Sequence, residues 1–108
     1  MDFRQLQVEV YEWSVQNFPM NQAHYPLLGL VEEVGELAHA HLKREQGIRG
    51  SSMEHSLAKF DAVGDIVIYL ADYCARNLID LQAAVEETWA KVRQRDWQAN
   101  RQTGLTDG

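Results

Sequence analysis

Two long segments constrain this chain more than anything else in it. Tyr25 to Glu45 and Ser51 to Asn77 repeat apolar residues every three or four positions, the period of a helix with a buried face. In the first, Leu27, Leu30, Val31, Val34, Leu37 and Ala38 share one side. In the second, Phe60, Val63, Val67, Leu70 and Cys74 do. No segment alternates with period two for long enough to make a strand.

Two further helices complete the pattern. Asp2 to Phe18 carries one stripe of Phe3, Leu6, Val10 and Trp13 and another of Val8, Tyr11, Val15 and Phe18. Asp80 can cap a fourth helix running to about Trp97, with Leu81, Val85, Thr88, Trp89 and Val92 inward. "SSME" reads as a capping box, Ser51 answering Glu54, and "QGIRGSS" breaks the pattern between the long segments with two glycines. The loops are short, so the expected fold is all-α, an antiparallel four-helix bundle. One domain over residues 1–98 is expected, with 99–108 a loose tail. A chain of 108 residues cannot cover two stripes on its first helix and a third helix apolar on most of its circumference. A homodimer or homotetramer is therefore expected.

Charge narrows the partners. The net charge is −6, with no block of Lys and Arg to release counterions from a nucleic-acid polymer. An acidic protein can still bind a small polyphosphate if metal cations bridge the two. The one cysteine, Cys74, lies in "IVIYLADYCA" and reads as a buried, inert side chain. A single thiol and an amphipathic "MDFRQLQVEV" without an apolar signal segment point to the cytoplasm. The longest apolar run, Ile66 to Leu70, is too short to cross a membrane.

Acids interrupt both long segments. Glu33 and Glu36 point the same way, as do Glu32 and Glu36, and Asp61 and Asp65 are neighbours by the same three-or-four rule. Asp72 lies two turns beyond Asp65. Unpaired carboxylates among apolar neighbours take up protons unless a positive charge sits between them. Few Lys or Arg lie inside these stretches, and a divalent cation would serve. Carboxylate oxygens suit Mg²⁺ or Mn²⁺. Gly29, Gly35 and Gly64 leave room beside these positions.

"EEVGE" (Glu32, Glu33, Glu36) followed by "DAVGDIVIYL" resembles the MazG-like nucleoside triphosphate pyrophosphohydrolases of the all-α NTP pyrophosphatase superfamily, whose pattern is EExxE, a gap, then ExxD. The resemblance runs from "EWSVQNFP" to "KVRQRDW". It implies a Mg²⁺-dependent hydrolase that converts nucleoside triphosphates to the monophosphate and pyrophosphate, a nucleotide-pool house-cleaning activity. By the same resemblance Glu33, Glu36 and Asp65 are metal ligands. Glu32 is the candidate general base. Where the family has glutamate three residues before the final aspartate, this chain has Ala62, and Asp61 is expected to replace it. Mn²⁺ is the alternative ion. Lys91 and Arg95, four apart on the last helix, resemble the family's phosphate-contacting basic pairs, and Arg49 in the "QGIRGS" loop is placed to close over a nucleotide. Trp13 and Phe18 are expected in core or interface packing rather than in a base pocket.

Two rivals remain. A di-iron bundle needs two Glu-x-x-His pairs, and Glu36/His39 is the sole one here. A non-catalytic helical oligomerisation or nucleotide-binding module is favoured by Ala62.

Overall fold

The structure is a computed structural model that describes residues 1–105. It is all-α. Four helices follow one another: α1 (Phe3–Asn17), α2 (Tyr25–Gln46), α3 (Ser52–Arg76) and α4 (Leu81–Val92). Residues 106–108, part of the expected loose tail, lie outside the described residues.

Local chemistry fixes the helix ends. The side chains of Asp2, Ser51 and Asp80 accept from the amides of Gln5, Glu54 and Ala83, each satisfying a donor that a helix start leaves open. The Ala83 amide, with Arg4 beside it, holds the Asp80 carboxyl below its ordinary range. α2 ends where Gly47 turns left-handed (φ 67°). α4 stops at Val92 instead of near Trp97. Beyond it, Asp96 accepts from the amides of Gln98 and Ala99, and its own amide donates to the Gly104 carbonyl at 2.6 Å. An aspartate that binds its own following amides offers the backbone a turn in place of a helix. Residues 99–105 accordingly fold back in turns, and Gly104 is buried beside Trp97.

α2 packs along α3 as a long antiparallel hairpin, α1 lies on α3, and α4 makes its contacts with α1. The seam of α3 that meets α2 is not the expected Phe60/Val63/Val67 stripe. Phe60 is 77% exposed, whereas Ala62 on the adjoining face is 4% exposed. Gly29 of α2 lies against the Tyr69 side chain of α3. A Cβ there would lie 2.7 Å from Cδ1 of Tyr69, so glycine leaves the space that the ring occupies against α2. Gly35 and Gly64 have open space beside them and serve no such contact within the chain.

The core is small: Val10, Ala71, Cys74 and Leu81, with Leu6, Leu70 and Tyr73 against it. Burial pushes the Cys74 thiol up, as an inert buried cysteine requires. Of the face expected inward on α4 only Leu81 is buried. Val85, Trp89 and Val92 instead line an open apolar groove with Leu70 and Cys74, because α4 leans on α1 and leaves α3 uncovered. The radius of gyration is 17.7 Å, against about 13 Å for a closed globule of this length.

Candidate functional site

The register set by Gly29 and Tyr69, carried along the antiparallel pair, puts Glu33 opposite Asp65 and Glu36 opposite Ala62. Glu33 falls on the seam of α2, between the half-buried Leu30 and Leu37 and one turn from Gly29. Its Oε2 is buried and has no hydrogen-bond partner. Burial raises the Glu33 pKa above its ordinary 4.5, and the charges of Glu36, Asp65 and Glu32 add to the effect. Tyr69 feels the same group: burial first, then Glu33, Glu32, Asp65 and Glu36, all push its phenol up. The structure thus brings Glu32, Glu33, Glu36 and Asp65 into one electrostatic cluster.

Glu33 and Asp65 of this cluster floor a cleft of about 470 Å³. Glu33, Asp65, Tyr69 and Asp72 line its helical side. Trp13, Phe18, Asn21, Tyr25 and Pro26, from the end of α1 to the start of α2, form its roof. Trp13 and Phe18 meet edge to face with ring centroids 5.7 Å apart. They face the cleft, where the sequence reading placed them in core or interface packing. Among the described residues that line it there is no Lys or Arg.

The other expected site residues do not join this cluster within one chain. Asp61 is exposed, one turn towards the α2–α3 loop, and is not among the acids acting on Glu33. Arg49 sits at the hairpin tip with φ 58°, about 20 Å along α2 from Glu33 at 1.5 Å per residue. His55 pins that loop, its Nε2 lying 2.9 Å from the Ile48 carbonyl oxygen. Lys91 lies in the last turn of α4, whose first turn is tied to the start of α1 by Leu81 N–H donating to Gln7 Oε1 at 2.9 Å; Arg95 lies beyond the helix end at Val92, so the two do not share a helical face as expected. The Arg95 guanidinium lies over the Trp97 ring, 5.8 Å from its centroid.

One polar network was not legible in the residues. Ser14 Oγ donates to Asp72 Oδ2 at 2.7 Å, and Arg76 donates from Nε to Asp72 Oδ1 at 2.9 Å and from Nη2 to Ser14 Oγ at 2.8 Å. Arg76 also donates to the carbonyls of Asn21 (3.1 Å) and Phe18 (3.3 Å). The Asp72 acid is therefore committed to the roof and is not free for an ion. The spacing of Asp72 and Arg76, one helical turn apart, was the available signal.

The donor chemistry suits a hard cation. An orphaned, desolvated carboxylate oxygen with three further acids around it is a place for positive charge. Among the described residues no three of His, Cys, Asp and Glu stand close enough to grip an ion unaided. Mg²⁺ does not require that: it is commonly held by one or two carboxylates, with waters and substrate phosphates completing its shell. Comparison with known families, curated proteins and solved structures returned no match.

Proposed function

We propose that the chain is a Mg²⁺-dependent hydrolase of (deoxy)nucleoside triphosphates, MazG-like in fold and acting in the cytoplasm as a homodimer or homotetramer. The observation that carries this reading is the buried, unpartnered Oε2 of Glu33 at the floor of an aromatic-roofed cleft lined by no cation of its own. A Mg²⁺ or Mn²⁺ ion held by one or two of Glu33, Glu36 and Asp65, its shell completed by waters and substrate phosphates, would polarise phosphoryl oxygens and acidify a bound water. Glu32, exposed beside the cluster, takes the proton of the attacking water. The water oxygen bonds to the α-phosphorus, the bond from that phosphorus to the bridging oxygen breaks, and pyrophosphate leaves with the bond's electrons. Tyr69, Trp13 and Phe18 hold the nucleoside and keep bulk water from the far end.

Exposed apolar faces support the same reading. The single chain is expanded, and Phe60, Val63 and Leu57 lie exposed on the hairpin while Trp89 and Val92 face an open groove. Covering these faces with further copies completes the bundle. It also offers a source of positive charge, since Arg49, Lys91 and Arg95 reach a cleft only from another copy.

The second reading, a non-catalytic nucleotide-binding or oligomerisation module, is favoured by Ala62, which leaves the seam one carboxylate short. A panel of nucleotides with Mg²⁺ or Mn²⁺ decides between them. Pyrophosphate release that is lost in Glu36→Gln and Asp65→Asn supports the hydrolase. Nucleotide binding with no turnover of any substrate supports the module.

A further inference from the structure

The buried network of Ser14, Asp72 and Arg76 is an odd investment for this chain. Its buried apolar residues are few, yet Ser14 is fully buried and the side chains of Asp72 and Arg76 are each 10% exposed. Removing a charge pair from water is costly even when the geometry is good. What the network holds is the connection from α1 to α2. Arg76 grips the carbonyls of Phe18 and Asn21, and the adjacent Asn77 Nδ2 donates to the Ala23 carbonyl at 2.9 Å. Asp72 and Ser14 in turn fix Arg76, so that its guanidinium uses four separate acceptors. The segment gripped is the roof of the cleft.

Within that roof Asn21 is the one amide. Its main chain is fully engaged: the N–H donates to the Phe18 carbonyl at 3.2 Å and the C=O accepts from Arg76. Asn21 lines the cleft together with Phe18 and Trp13, and its side chain makes no hydrogen bond among the described residues. Asp65 and Asp72 mark the two ends of the cleft along α3. They are seven residues apart, about 10 Å of helix, which separates the acidic floor from the amide and the aromatic rings by roughly the length of a nucleoside.

We propose that Asn21 is the specificity-determining residue of the cleft, reading the Watson–Crick edge of a nucleobase packed against Phe18 and Trp13, and that Arg76, Asp72 and Ser14 are the positioning residues that hold it there. A carboxamide both donates and accepts, so it pairs with a base edge that offers one donor and one acceptor side by side. A loop carbonyl gripped by a buried guanidinium keeps that amide in one place before substrate arrives. This inference rests on the proposed nucleotide hydrolysis.

The test measures kcat/KM for the four deoxynucleoside triphosphates with Mg²⁺, in the wild type and in Asn21→Ala, Arg76→Lys and Ser14→Ala. Asn21→Ala should compress the ratio between the best and worst base by about tenfold, the worth of one lost hydrogen bond, mostly through KM. Arg76→Lys keeps the charge but loses the planar fork, and should compress the ratio in the same sense. Ser14→Ala, the milder change, repeats the comparison if Arg76→Lys does not fold by circular dichroism. A network that merely stabilises the fold would lower all four values together and leave their ratios alone. Unchanged ratios in Asn21→Ala overturn the assignment while leaving the hydrolase intact. A wild type that turns over no nucleotide overturns the hydrolase and this inference with it.

Discussion

Deleting the Asp72 carboxylate is the sharpest test of how the cleft is built. The substitution Asp72→Ala removes acceptors from Arg76 Nε and Ser14 Oγ at once. Breaking a buried ion pair by removing one partner costs about 3–5 kcal/mol, because the other charge stays buried and unpaired. Arg76 is better placed than that average. It keeps the carbonyls of Asn21 and Phe18 and the Ser14 hydroxyl, and its side chain is 10% exposed. The expected loss is therefore at the low end, about 3 kcal/mol, a large share of the 5–15 kcal/mol typical of a domain. Ser14→Ala should lose about 1 kcal/mol. The double variant should lose less than the sum, since both changes delete the same Ser14–Asp72 bond. Replacing both charges, as Asp72→Ala with Arg76→Met, should recover at least about 1 kcal/mol of the single-variant loss. Urea unfolding at one fixed protein concentration reads these differences from the midpoint and slope. An Asp72→Ala loss below about 1 kcal/mol, or full additivity of the two charge deletions, would refute the view that this network is a coupled buried unit.

Glu33 has a pKa raised above its ordinary 4.5, so its favourable contribution is fully present below pH 4.5 and is lost as pH rises through the folded value. In EDTA, Glu33→Gln should melt higher than the wild type at pH 8 and no higher at pH 4; a variant that melts lower at pH 8 contradicts the desolvated site. Gly29→Ala gains about 1 kcal/mol of helix propensity but overpacks Tyr69 at a cost of about 1–3 kcal/mol, so a net destabilisation of about 1 kcal/mol is expected by urea unfolding, and net stabilisation would mean that the ring is free to move. Ala62→Glu places a fourth carboxylate on the seam opposite Glu36: its melting temperature should fall in EDTA and rise with Mg²⁺ by more than the wild type's does, and an equal response to Mg²⁺ in both argues against a cation at this seam. Phe60→Glu, at a position 77% exposed in the single chain, should shift sedimentation from dimer or tetramer towards monomer, and a wild type monomeric at micromolar concentration would remove the basis for a multi-chain bundle.

Periodicity in the sequence set out the four helices and most of their ends, because caps and breakers act within a few residues. It could not say where α4 would stop. The Asp96 turn competes with helix over a distance that apolar spacing does not sense, and Val92, not Trp97, became the last helical residue. The expected stripes were likewise present, but a single chain buries few of them. Phe60, Val63, Trp89 and Val92 stay exposed in the single chain. Sequence pattern reports that a face wants covering; it does not report what covers it.

The site shows the same limit at finer scale. Glu32, Glu33 and Glu36 were readable as a group because spacing on one helix fixes which residues are neighbours; Asp65, on α3, was joined to them only by what the resemblance implies. Asp61 was readable as a neighbour of Asp65 too, but a neighbour has two sides. At about 100° per residue, Asp61 lies roughly 40° to one side of Asp65 and Ala62 roughly 60° to the other. α2 approaches on the Ala62 side, as the burial of Ala62 and the contact of Tyr69 with Gly29 show. Asp61 therefore faces away from Glu33, although it satisfies the same spacing rule. The phase of one helix is written in its own residues. The side from which the next helix arrives is decided by where a glycine permits an aromatic ring to close the gap, and that is a property of the pair.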